Sequence, residues 1–390
     1  MAESAQEREL VFIDETASKS LIDETIDSLS ASDKLAFDTE SDSFYRYHER
    51  VCLMQFSDSS RDYIYDPLSH GLVPKLRTVL EASDRTVFLH GGDFDVLSMR
   101  RDFDLKFGKL FDTLIAARCL GITSFGLASL LESILGIKIS KSEQRSDWGR
   151  RPLTDKQIRY ARQDTSDLLR LAESLSERID KLDRMNWVTQ DCELLRQREP
   201  KPKQFDPEGW RKLRGAAGLD PIARKVVCGL YLWRETEAKR RNRTPFRVIS
   251  NDVIIDIGQL AQENPGNCVS QLRRVRGISS KMNLDGLRRA LEQALRSSEI
   301  PPVKKPRKHS ENKSRLRAKD PEAKQRLSRL KDARKRCAER ANIEPSFLVS
   351  GSVLEEIAQL PPASVSELIK SMKLTNWRSE LLETELWSAL

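Results

Sequence analysis

Short apolar runs alternate with helical patterns through the first half of the chain. Strands are predicted for ELVFID, KLAFDTE, RVCLMQFS, DYIYD and TVFLH, which are rich in apolar and aromatic side chains. Helices are predicted up to about Ser30, over residues 71–82, and from starts near Asp93, Asp112, Gly126 and Thr154. Strands followed by helices predict an α/β domain in which helices pack on both faces of a mixed sheet.

The pattern changes near residue 200, where the charged, proline-containing segment REPKPKQFDPEGW predicts a linker. Residues 205–298 show helical periodicity only. Residues 319–390 repeat their order: a charged helix, an xPxxxxxS turn, a short helix ending in IxQL or IAQL, a proline turn and another helix. The basic segment 299–318 lacks apolar periodicity and predicts a second linker. We therefore predict an α/β domain over residues 1–198 and two helical domains related by a diverged duplication.

The composition is that of a globular protein with several domains. The chain has 390 residues, of which 38% are hydrophobic and 32% charged, and this length exceeds one ordinary core. No apolar run reaches the roughly 20 residues of a membrane-spanning helix, and the start MAESAQEREL is too acidic for a signal peptide. Six cysteines without a CxxC pair favour reduced, buried thiols over a disulfide framework. We expect a cytoplasmic protein without membrane association.

Charge is distributed unevenly along the chain. Residues 1–200 contain 28 Lys and Arg against 36 Asp and Glu, whereas residues 201–390 contain 39 against 23. Acidic groups attract cations, and a basic lobe favours the approach of a polyanion. Solubility alone is the alternative explanation, but the local excess over residues 301–340, 16 basic against 5 acidic side chains, favours nucleic-acid binding.

Five side chains in the first half form a candidate catalytic set. Asp38 and Glu40 are two residues apart on a predicted strand, so both project from one face of the sheet. Tyr160 and Asp164 are four apart on a predicted helix and likewise share a face. If Asp95 and Asp164 lie against the strand pair, four carboxylates surround a small volume. Such hard oxygen ligands select Mg²⁺ or Mn²⁺.

Two such ions, about 3.5–4 Å apart, activate a water and stabilise the leaving oxygen in phosphodiester hydrolysis. Tyr160 would then orient the attacking water, because a tyrosine with a pKa of about 10 is a poor general base at neutral pH. The four histidines of the chain show no metal-ligand spacing, which argues against a zinc site.

Each acidic residue also has an ordinary structural interpretation. Taken singly, a carboxylate at a strand end or a helix start is more often a turn residue, a helix cap or a solvated charge than a ligand. Asp93 competes with Asp95, but we interpret Asp93 as a cap of the helix that begins there, and Asp112 as a cap of the next helix. The five residues together favour a catalytic site.

Three segments within residues 8–190 resemble a known family. LAFDTESDSFYRYHERVCLMQFSD, VFLHGGDFDVLSMRRDF and KSEQRSDWGRRPLTDKQIRYARQDT resemble the three exonuclease motifs of the DEDD superfamily, and the tyrosine before the last aspartate is similar to its DEDDy branch. The stretch SDWGRRPL resembles ribonuclease D in particular. The two helical domains, 205–298 and 319–390, resemble HRDC domains, with LWRETEAKRRNRTP making the first copy the clearer match.

The resemblance implies a ribonuclease H-like sheet and a 3′-5′ exoribonuclease that releases nucleoside 5′-monophosphates, usually from transfer-RNA and other stable-RNA precursors. It implies that two divalent metal ions are held by Asp38, Glu40, Asp95 and Asp164. It implies that Tyr160 orients the water. Ser41 departs from the common DTEF form of the first motif, which bears on substrate contacts more than on metal binding.

Residues that flank the motifs are candidate RNA contacts. They are Phe44, Tyr45, Tyr47, Gln55, His90, Trp148, Arg150 and Arg151. Aromatic rings stack on the bases of single strands without reading sequence, while packing of the loop and local helix capping are the structural alternatives. Further candidates in the first helical domain are Lys239, Arg240, Arg241 and Arg243, although a charge run is more often a solvated face.

Two other functions stay open from the sequence. A DNA 3′-5′ exonuclease acting in repair would use the same acidic site, and only contacts to the 2′-hydroxyl discriminate between the two polymers. A catalytically inactive RNA-binding scaffold is the second alternative, against which the intact set of five residues argues. In the leading interpretation the partner is the 3′ end of single-stranded RNA, and the enzyme is a monomer.

Overall fold

The computed structural model describes residues 8–72, 74–140, 142–279, 282–302 and 320–390. Within this part, one sheet contains β1 (Glu9–Ile13), β2 (Lys34–Ser41), β3 (Val51–Ser57), β4 (Arg61–Tyr65), β5 (Thr86–Leu89) and β6 (Lys109–Asp112). The strand order is β1-β4-β3-β2-β5-β6. Pairing is parallel between β1 and β4, β2 and β5, and β5 and β6, and antiparallel between β3 and β4. The predicted mixed sheet is confirmed.

Strand β6 is absent from the sequence-based expectation. It has only four residues, and the next helix begins directly after Asp112. Its register, with Leu110 opposite Val87, adds it to the edge of the sheet beside β5. So short a run does not display a period of its own, and its strand conformation comes from pairing with β5.

Six described helices of the first half agree with the predicted positions, whereas the helices Pro67–His70, Leu168–Lys181 and Met185–Arg196 had no predicted starts of their own. In chain order the helices are α1 (Lys19–Ser30), α2 (Pro67–His70), α3 (Pro74–Glu81), α4 (Asp93–Phe103), α5 (Thr113–Cys119), α6 (Leu127–Leu130), α7 (Asp155–Gln163), α8 (Leu168–Lys181) and α9 (Met185–Arg196). A π-helical turn over Leu131–Leu135 follows α6. Polar caps fix some of these starts: the side chain of Ser18 accepts from the Leu21 amide, and Thr154 and Gln157 form a capping box.

Both faces of the sheet are buried. On one face the rings of Phe37 and Phe56 lie 5.1 Å apart within the largest apolar core. On the other face, Leu53 and Ile64 pack with Trp148 in a smaller cluster. Coverage of both faces agrees with the α/β interpretation, since a sheet with parallel strands is normally sandwiched by helices.

The described chain forms two compact units. One comprises residues 8–40, 51–200 and 320–390, and the other comprises residues 41–50 and 201–302. The second unit contains the first helical repeat, with helices α10 (Pro221–Arg241), α11 (Pro245–Val248), α12 (Asn251–Glu263), α13 (Cys268–Gln271) and α14 (Leu284–Arg296). Residues 41–50 are held on this repeat: the His48 amide donates to Asn242 Oδ1 over 3.0 Å, and Thr244 Oγ1 donates to the Phe44 carbonyl over 3.1 Å.

The second helical repeat belongs to the same unit as the α/β domain. Its helices are α15 (Pro321–Ala341), α16 (Pro345–Leu348), α17 (Gly351–Gln359), α18 (Val365–Met372) and α19 (Asn376–Ser388). Arg378 binds Asp191 on α9 with both guanidinium nitrogens, at 2.5 and 2.6 Å. The rings of Trp377 and Trp187 stack 4.4 Å apart at an interplanar angle of 7°. The α/β domain and this repeat therefore share one core.

The two repeats have the same backbone frame. Helices α10 and α15 each contain 21 residues, and they begin at Pro221 and Pro321, 100 positions apart. The same offset relates the capping residues Asp220 and Asp320, Asn242 and Asn342, and Ser250 and Ser350. It also relates two arginine contacts to backbone carbonyls, Arg234 to Ile249 and Arg334 to Val349.

The compact units divide the chain differently from the limits read off the sequence. The elements fall within 1–198, 205–298 and 319–390, but the last range packs with the first, and residues 41–50 join the middle range. Such long-range packing leaves no local signal in the sequence. Most of the basic segment 299–318 lies outside the described residues. No helix in the described part of the chain combines the length and apolar character needed to span a bilayer.

Candidate active site

Strand β2 delivers the first two carboxylates. Buried residues Leu35, Ala36 and Phe37 anchor it in the core, and Ala36 is paired with Phe88 on β5. Asp38 and Glu40 lie beyond this pair, at the carboxyl end of the strand. In sheets with parallel strands, this edge is where ligand sites usually form.

Asp95 reaches the same edge from the first turn of α4, which follows β5 after a glycine turn. Gly91 adopts a φ of +65°, a conformation that favours glycine. The Asp112 carboxylate accepts from the Gly91 amide at 3.1 Å and from the Gly92 amide at 2.7 Å, and it also caps α5. Thr39 Oγ1 donates to Asp95 Oδ1 over 2.6 Å. Asp95 is therefore tied directly to the strand that carries Asp38 and Glu40.

Helix α7 supplies the tyrosine and the last carboxylate. Tyr160 lies on its final turn, and Asp164 is the residue that ends the helix. The Tyr160 ring packs against the buried ring of Trp148, with centroids 6.0 Å apart. Next to Asp164, the Thr165 hydroxyl accepts from Ser57 on β3 at 2.8 Å. These contacts hold both functional side chains against the sheet.

The three elements converge on one acidic cluster. Oxygen atoms of Asp38, Glu40 and Asp164 lie within 4.8 Å of one another. Asp95 is close enough for its charge to act on Asp38, Glu40 and Asp164. Within the described residues, no basic side chain is among the main influences on the pKa values of these four carboxyl groups. The structure thus brings together the carboxylates that the sequence singled out.

Burial and mutual repulsion raise the pKa values of this cluster. Burial raises the pKa of Asp38 and Glu40 well above their usual range, and the neighbouring carboxylates add to the rise. Burial also raises the pKa of Asp164 to about 7 and that of Asp95 to about 6, with the Thr39 hydrogen bond opposing the latter. At neutral pH, full ionisation of these four carboxyl groups therefore requires a positive charge close to them.

The donor set fits divalent cations. Carboxylate oxygens are the ligands that Mg²⁺ and Mn²⁺ prefer, and all four side chains are carboxylic acids. A group of carboxylates without a basic partner is otherwise hard to keep ionised in a partly buried position. Divalent cations bound at the cluster of Asp38, Glu40 and Asp164 would supply the positive charge that these carboxylates lack.

Tyr160 stays protonated near this cluster. Burial raises the pKa of its hydroxyl, and the charges of Asp164, Glu40 and Asp38 raise it further. A protonated phenol donates a hydrogen bond and does not take a proton from water at neutral pH. The geometry therefore suits a positioning role for Tyr160.

Asp93 and Asp112 lie outside the cluster. Asp93 is the first residue of α4, after the N-cap position of Gly92, and it is exposed and paired with Arg198. Asp112 caps α5, as the sequence predicts. Its additional bonds to the glycine turn were missed, because a capping residue carries no sequence signal for a second partner. The hydrogen bond from Thr39 to Asp95 was also missed, since Asp38 and Glu40 on either side of Thr39 account for the acidic motif without it.

The segment between Trp148 and Arg151 supports the site from behind. Trp148 is fully buried against Tyr160, so its ring is occupied by packing. The Arg151 guanidinium binds Asp66 at 2.6 Å and donates to the carbonyls of Cys52 and Trp148. Arg150 is exposed. Their roles as RNA contacts stay predictions, and Arg150 alone presents its side chain to solvent.

Two other predicted contacts are polar groups within the fold. Burial lowers the pKa of His90 to about 4, and its Nδ1 lies 2.9 Å from Thr113 Oγ1, so the ring is neutral at physiological pH. Gln55 on β3 is fully buried, and neither polar atom of its amide has a hydrogen-bond partner within the described residues. Leaving such an amide unpaired costs about 1–3 kcal/mol. Their contacts with RNA also stay predictions.

Phe44 and Tyr47 lie in the other unit, with residues 41–50. The Tyr47 hydroxyl donates to Glu235 on α10. Burial, and then this carboxylate, raise the pKa of Tyr47 to about 12. Phe44 is exposed and contacts Phe246.

The basic run on α10 is mostly paired. Arg240 and Arg241 bind Glu237 at 2.9 and 2.5 Å, and Lys239 lies 4.0 Å from Glu235. Arg243 is exposed and makes no ion pair within the described residues. The local ion pairs agree with the alternative of a solvated face for three of the four candidates.

Comparison with known proteins agrees with the fold. The 3′-5′ exonuclease family model matches residues 15–180, which contain the five predicted catalytic residues. The HRDC domain model matches residues 323–387, the repeat that the sequence had led us to regard as the more divergent.

Ribonuclease D of Zymomonas mobilis is 30% identical over 278 residues, covering 70% of this chain and 69% of that protein. Ribonuclease D of Xanthomonas oryzae is 29% identical over 244 residues, covering 62% of this chain and 66% of that protein. The matched segments thus span about two thirds of the length of these relatives. The crystal structure of Escherichia coli RNase D has a TM-score of 0.63 at 23% identity and covers 99% of both chains, which shows a common fold.

Proposed function

Because this chain belongs to the ribonuclease D family, with a 3′-5′ exonuclease domain and an HRDC domain, we propose that it shortens RNA from the 3′ end and releases nucleoside 5′-monophosphates. The observation that carries the proposal is the cluster of Asp38, Glu40 and Asp164, whose oxygens lie within 4.8 Å of one another. Asp95 is the fourth carboxylate, and a hydrogen bond from Thr39 ties it to the strand that carries Asp38 and Glu40. Such a cluster suits hydrolysis of a phosphodiester with divalent cations.

The four carboxylates would hold two divalent ions, Mg²⁺ or Mn²⁺. When bound, these ions supply a polarised water and stabilisation of charge at the leaving oxygen. Tyr160 is proposed to hold the attacking water by a hydrogen bond, because its raised pKa keeps the phenol protonated. The Trp148 ring packs against the Tyr160 ring and holds it in place, and the Thr39 hydroxyl orients the Asp95 carboxylate by a hydrogen bond. The chain's own residues thus position the reactants and balance the metal charge.

The proposed substrates are single-stranded 3′ ends, with precursors of transfer RNA and other stable RNAs as the leading class. The relatives named ribonuclease D favour RNA over DNA. The exposed arginines of the first helical repeat favour a polyanionic ligand. We propose that the enzyme acts as a monomer.

A degradation assay with matched oligonucleotides tests polymer, direction and metal dependence together. A 5′-labelled single-stranded RNA should shorten stepwise from a free 3′ hydroxyl with Mg²⁺ or Mn²⁺, whereas EDTA or a blocked 3′ end should stop the reaction. Chromatography should detect nucleoside 5′-monophosphates. Faster degradation of the matched DNA would contradict the RNA assignment. If no metal condition supported degradation, the alternative of a catalytically inactive RNA-binding scaffold would be favoured.

Substitutions locate the reaction at the acidic cluster. Asp38→Asn and Asp95→Asn should each lower the rate by about 10³-fold or more, because each removes a charge needed to hold the cations. Asp93→Asn is the matched control: it removes an exposed carboxylate two residues from Asp95 and should leave the rate unchanged. Equal effects of Asp93→Asn and Asp95→Asn would refute the assigned site.

A further inference from the structure

Two phenylalanine rings are exposed side by side in the unit that contains the first helical repeat. Phe44, from residues 41–50, is 45% exposed, and Phe246, from α11, is 53% exposed. Their ring centroids lie 6.5 Å apart, and the ring planes are inclined at 77°. Single exposed apolar side chains are common on protein surfaces, but two in contact form an apolar patch.

Arg247 fixes the backbone beneath this pair. Its Nε donates to the Phe44 carbonyl over 2.7 Å, and Thr244 Oγ1 donates to the same carbonyl over 3.1 Å. The guanidinium carbon of Arg247 lies 3.7 Å from the centroid of the Tyr45 ring. Both exposed rings are therefore carried on ordered backbone, which lowers the entropy cost of binding a ligand.

The helical frame does not require exposed rings at this place. One hundred positions later, Ser346 replaces Phe246 and Phe347 replaces Arg247. The Phe347 ring is buried and packs against Trp377. Since both repeats fold with the same helices and caps, the exposed ring of Phe246 is a property of the first repeat's surface and is not required by the fold.

The surroundings of the pair are basic. Residues 205–298 contain 18 Lys and Arg against 10 Asp and Glu. Arg243, three residues before Phe246, is exposed and makes no ion pair within the described residues. Unpaired bases offer flat faces to aromatic rings while their phosphates pair with arginine, whereas a duplex keeps its bases stacked inside. Single-stranded nucleic acid is the ligand class that matches both features.

We propose that Phe44, Tyr45, Phe246 and Arg247 form an aromatic platform on which unpaired bases of single-stranded RNA stack. The choice of RNA as the polymer rests on the proposed function. The two phenylalanines offer ring faces, and Arg247, stacked on Tyr45, presents its remaining N–H groups to a phosphate. The platform holds a strand without reading its sequence.

Binding measurements on the full chain test the platform. Asp38→Asn serves as the parent so that RNA is not degraded, and the probe is a single-stranded RNA containing one 2-aminopurine. Phe44→Ala and Phe246→Ala should each weaken binding about tenfold, as measured by fluorescence anisotropy. They should also reduce the quenching of 2-aminopurine that stacking produces. Phe246→Trp should restore both the affinity and the quenching.

Two control variants separate stacking from apolar packing. Phe246→Leu keeps an apolar contact with Phe44 and should keep the melting temperature, but it should bind RNA as weakly as Phe246→Ala. Trp387→Ala removes an exposed aromatic ring from the second repeat and should leave RNA binding unchanged.

The platform is overturned if Phe246→Ala binds RNA as tightly as the parent, if Phe246→Leu restores binding and quenching, or if the parent binds no RNA. The proposed function fails by a different result, the absence of RNA shortening by the unsubstituted protein. An active unsubstituted protein combined with unchanged binding by Phe246→Ala overturns the platform alone.

Discussion

The first helical repeat is strongly basic, whereas the second is nearly neutral. Residues 205–298 contain 18 Lys and Arg against 10 Asp and Glu, and residues 319–390 contain 12 against 11. Exposed arginines of the first repeat that form no ion pair within the described residues are Arg273, Arg274, Arg276, Arg288 and Arg289. In the second repeat, Arg336 and Arg340 bind Glu385, and Arg378 binds Asp191.

The two repeats thus combine one helical frame with two different surfaces. The frame is set by caps and by an apolar face, which both repeats retain at the same offset. Surface positions contribute little to folding and are free to diverge. We interpret the first repeat as an RNA-binding surface and the second as a structural part of the exonuclease unit, in which its apolar residues complete the core.

The ion pair between Arg378 and Asp191 tests the packing of the second repeat. Arg378→Ala should lower the free energy of unfolding by about 3–5 kcal/mol, because it leaves the buried Asp191 carboxylate without its cationic partner. Denaturant unfolding followed by tryptophan fluorescence measures this loss. Arg336→Ala is the matched control, since it removes an exposed ion pair with Glu385 and should cost less than about 1 kcal/mol. Similar costs for both variants would contradict a structural role for the Arg378 contact.

A change of pH should affect the acidic cluster and spare the first repeat. The folded pKa values of Asp164, about 7, and Asp95, about 6, lie above those of an unfolded chain. The metal-free protein therefore binds extra protons when folded and should become less stable as pH rises from 6.5 to 8. The limit is about 1.4 kcal/mol per pH unit for each proton. His90 opposes this trend only below about pH 6.5, where the unfolded histidine gains a proton.

Thermal unfolding of the metal-free protein across this range measures the effect, and Asp38→Asn should reduce the slope. RNA affinity should stay constant over the same range if arginines of the first repeat dominate binding, because they remain charged. A loss of RNA affinity that follows the stability curve would instead assign binding to the acidic unit.

Charge removal tests the RNA surface of the first repeat. Replacing Arg273, Arg274 and Arg276 together by Gln should weaken RNA binding about tenfold and lower the salt slope by about 2, because fewer counterions are released. Replacing Lys324, Lys331 and Lys370 in the second repeat removes the same charge and should change RNA affinity much less. Titrations at several salt concentrations compare the two triple variants. Equal losses would show that net charge, and not the surface of the first repeat, controls binding.

The smallest effect tests the shared frame. Ser250 and Ser350 each cap a helix by accepting a hydrogen bond from the amide three residues later. Ser250→Ala and Ser350→Ala should therefore cost about 1 kcal/mol each in the free energy of unfolding. Denaturant unfolding of the two variants gives the comparison. A markedly larger cost at one site would mean that the repeats no longer share the same helix start.

Local spacing made much of the candidate site predictable. Two residues along a strand place Asp38 and Glu40 on one face, and four along a helix place Tyr160 and Asp164 together. Helix starts were predictable because caps such as Thr154 act within one turn. Strand β6 was not, since four residues do not display a period.

The contacts that complete the site depend on chain segments far apart in sequence. The bond from Thr39 to Asp95 joins residues 56 positions apart, and Asp112 reaches back to the Gly91 turn. The pairing of Asp191 with Arg378 spans 187 positions. No local pattern encodes such partners, so these residues read as an ordinary threonine, a cap and two surface charges.

Local sequence patterns predict five of the six described strands, several of the helices, the acidic residues of the candidate site and the duplication of the helical repeat. These features depend on side-chain periodicity and on caps that act over a few residues. The folded chain alone shows that residues 41–50 join the first repeat and that the second repeat shares a core with the exonuclease domain. Those choices depend on complementary surfaces, whose fit exists only after the chain has folded.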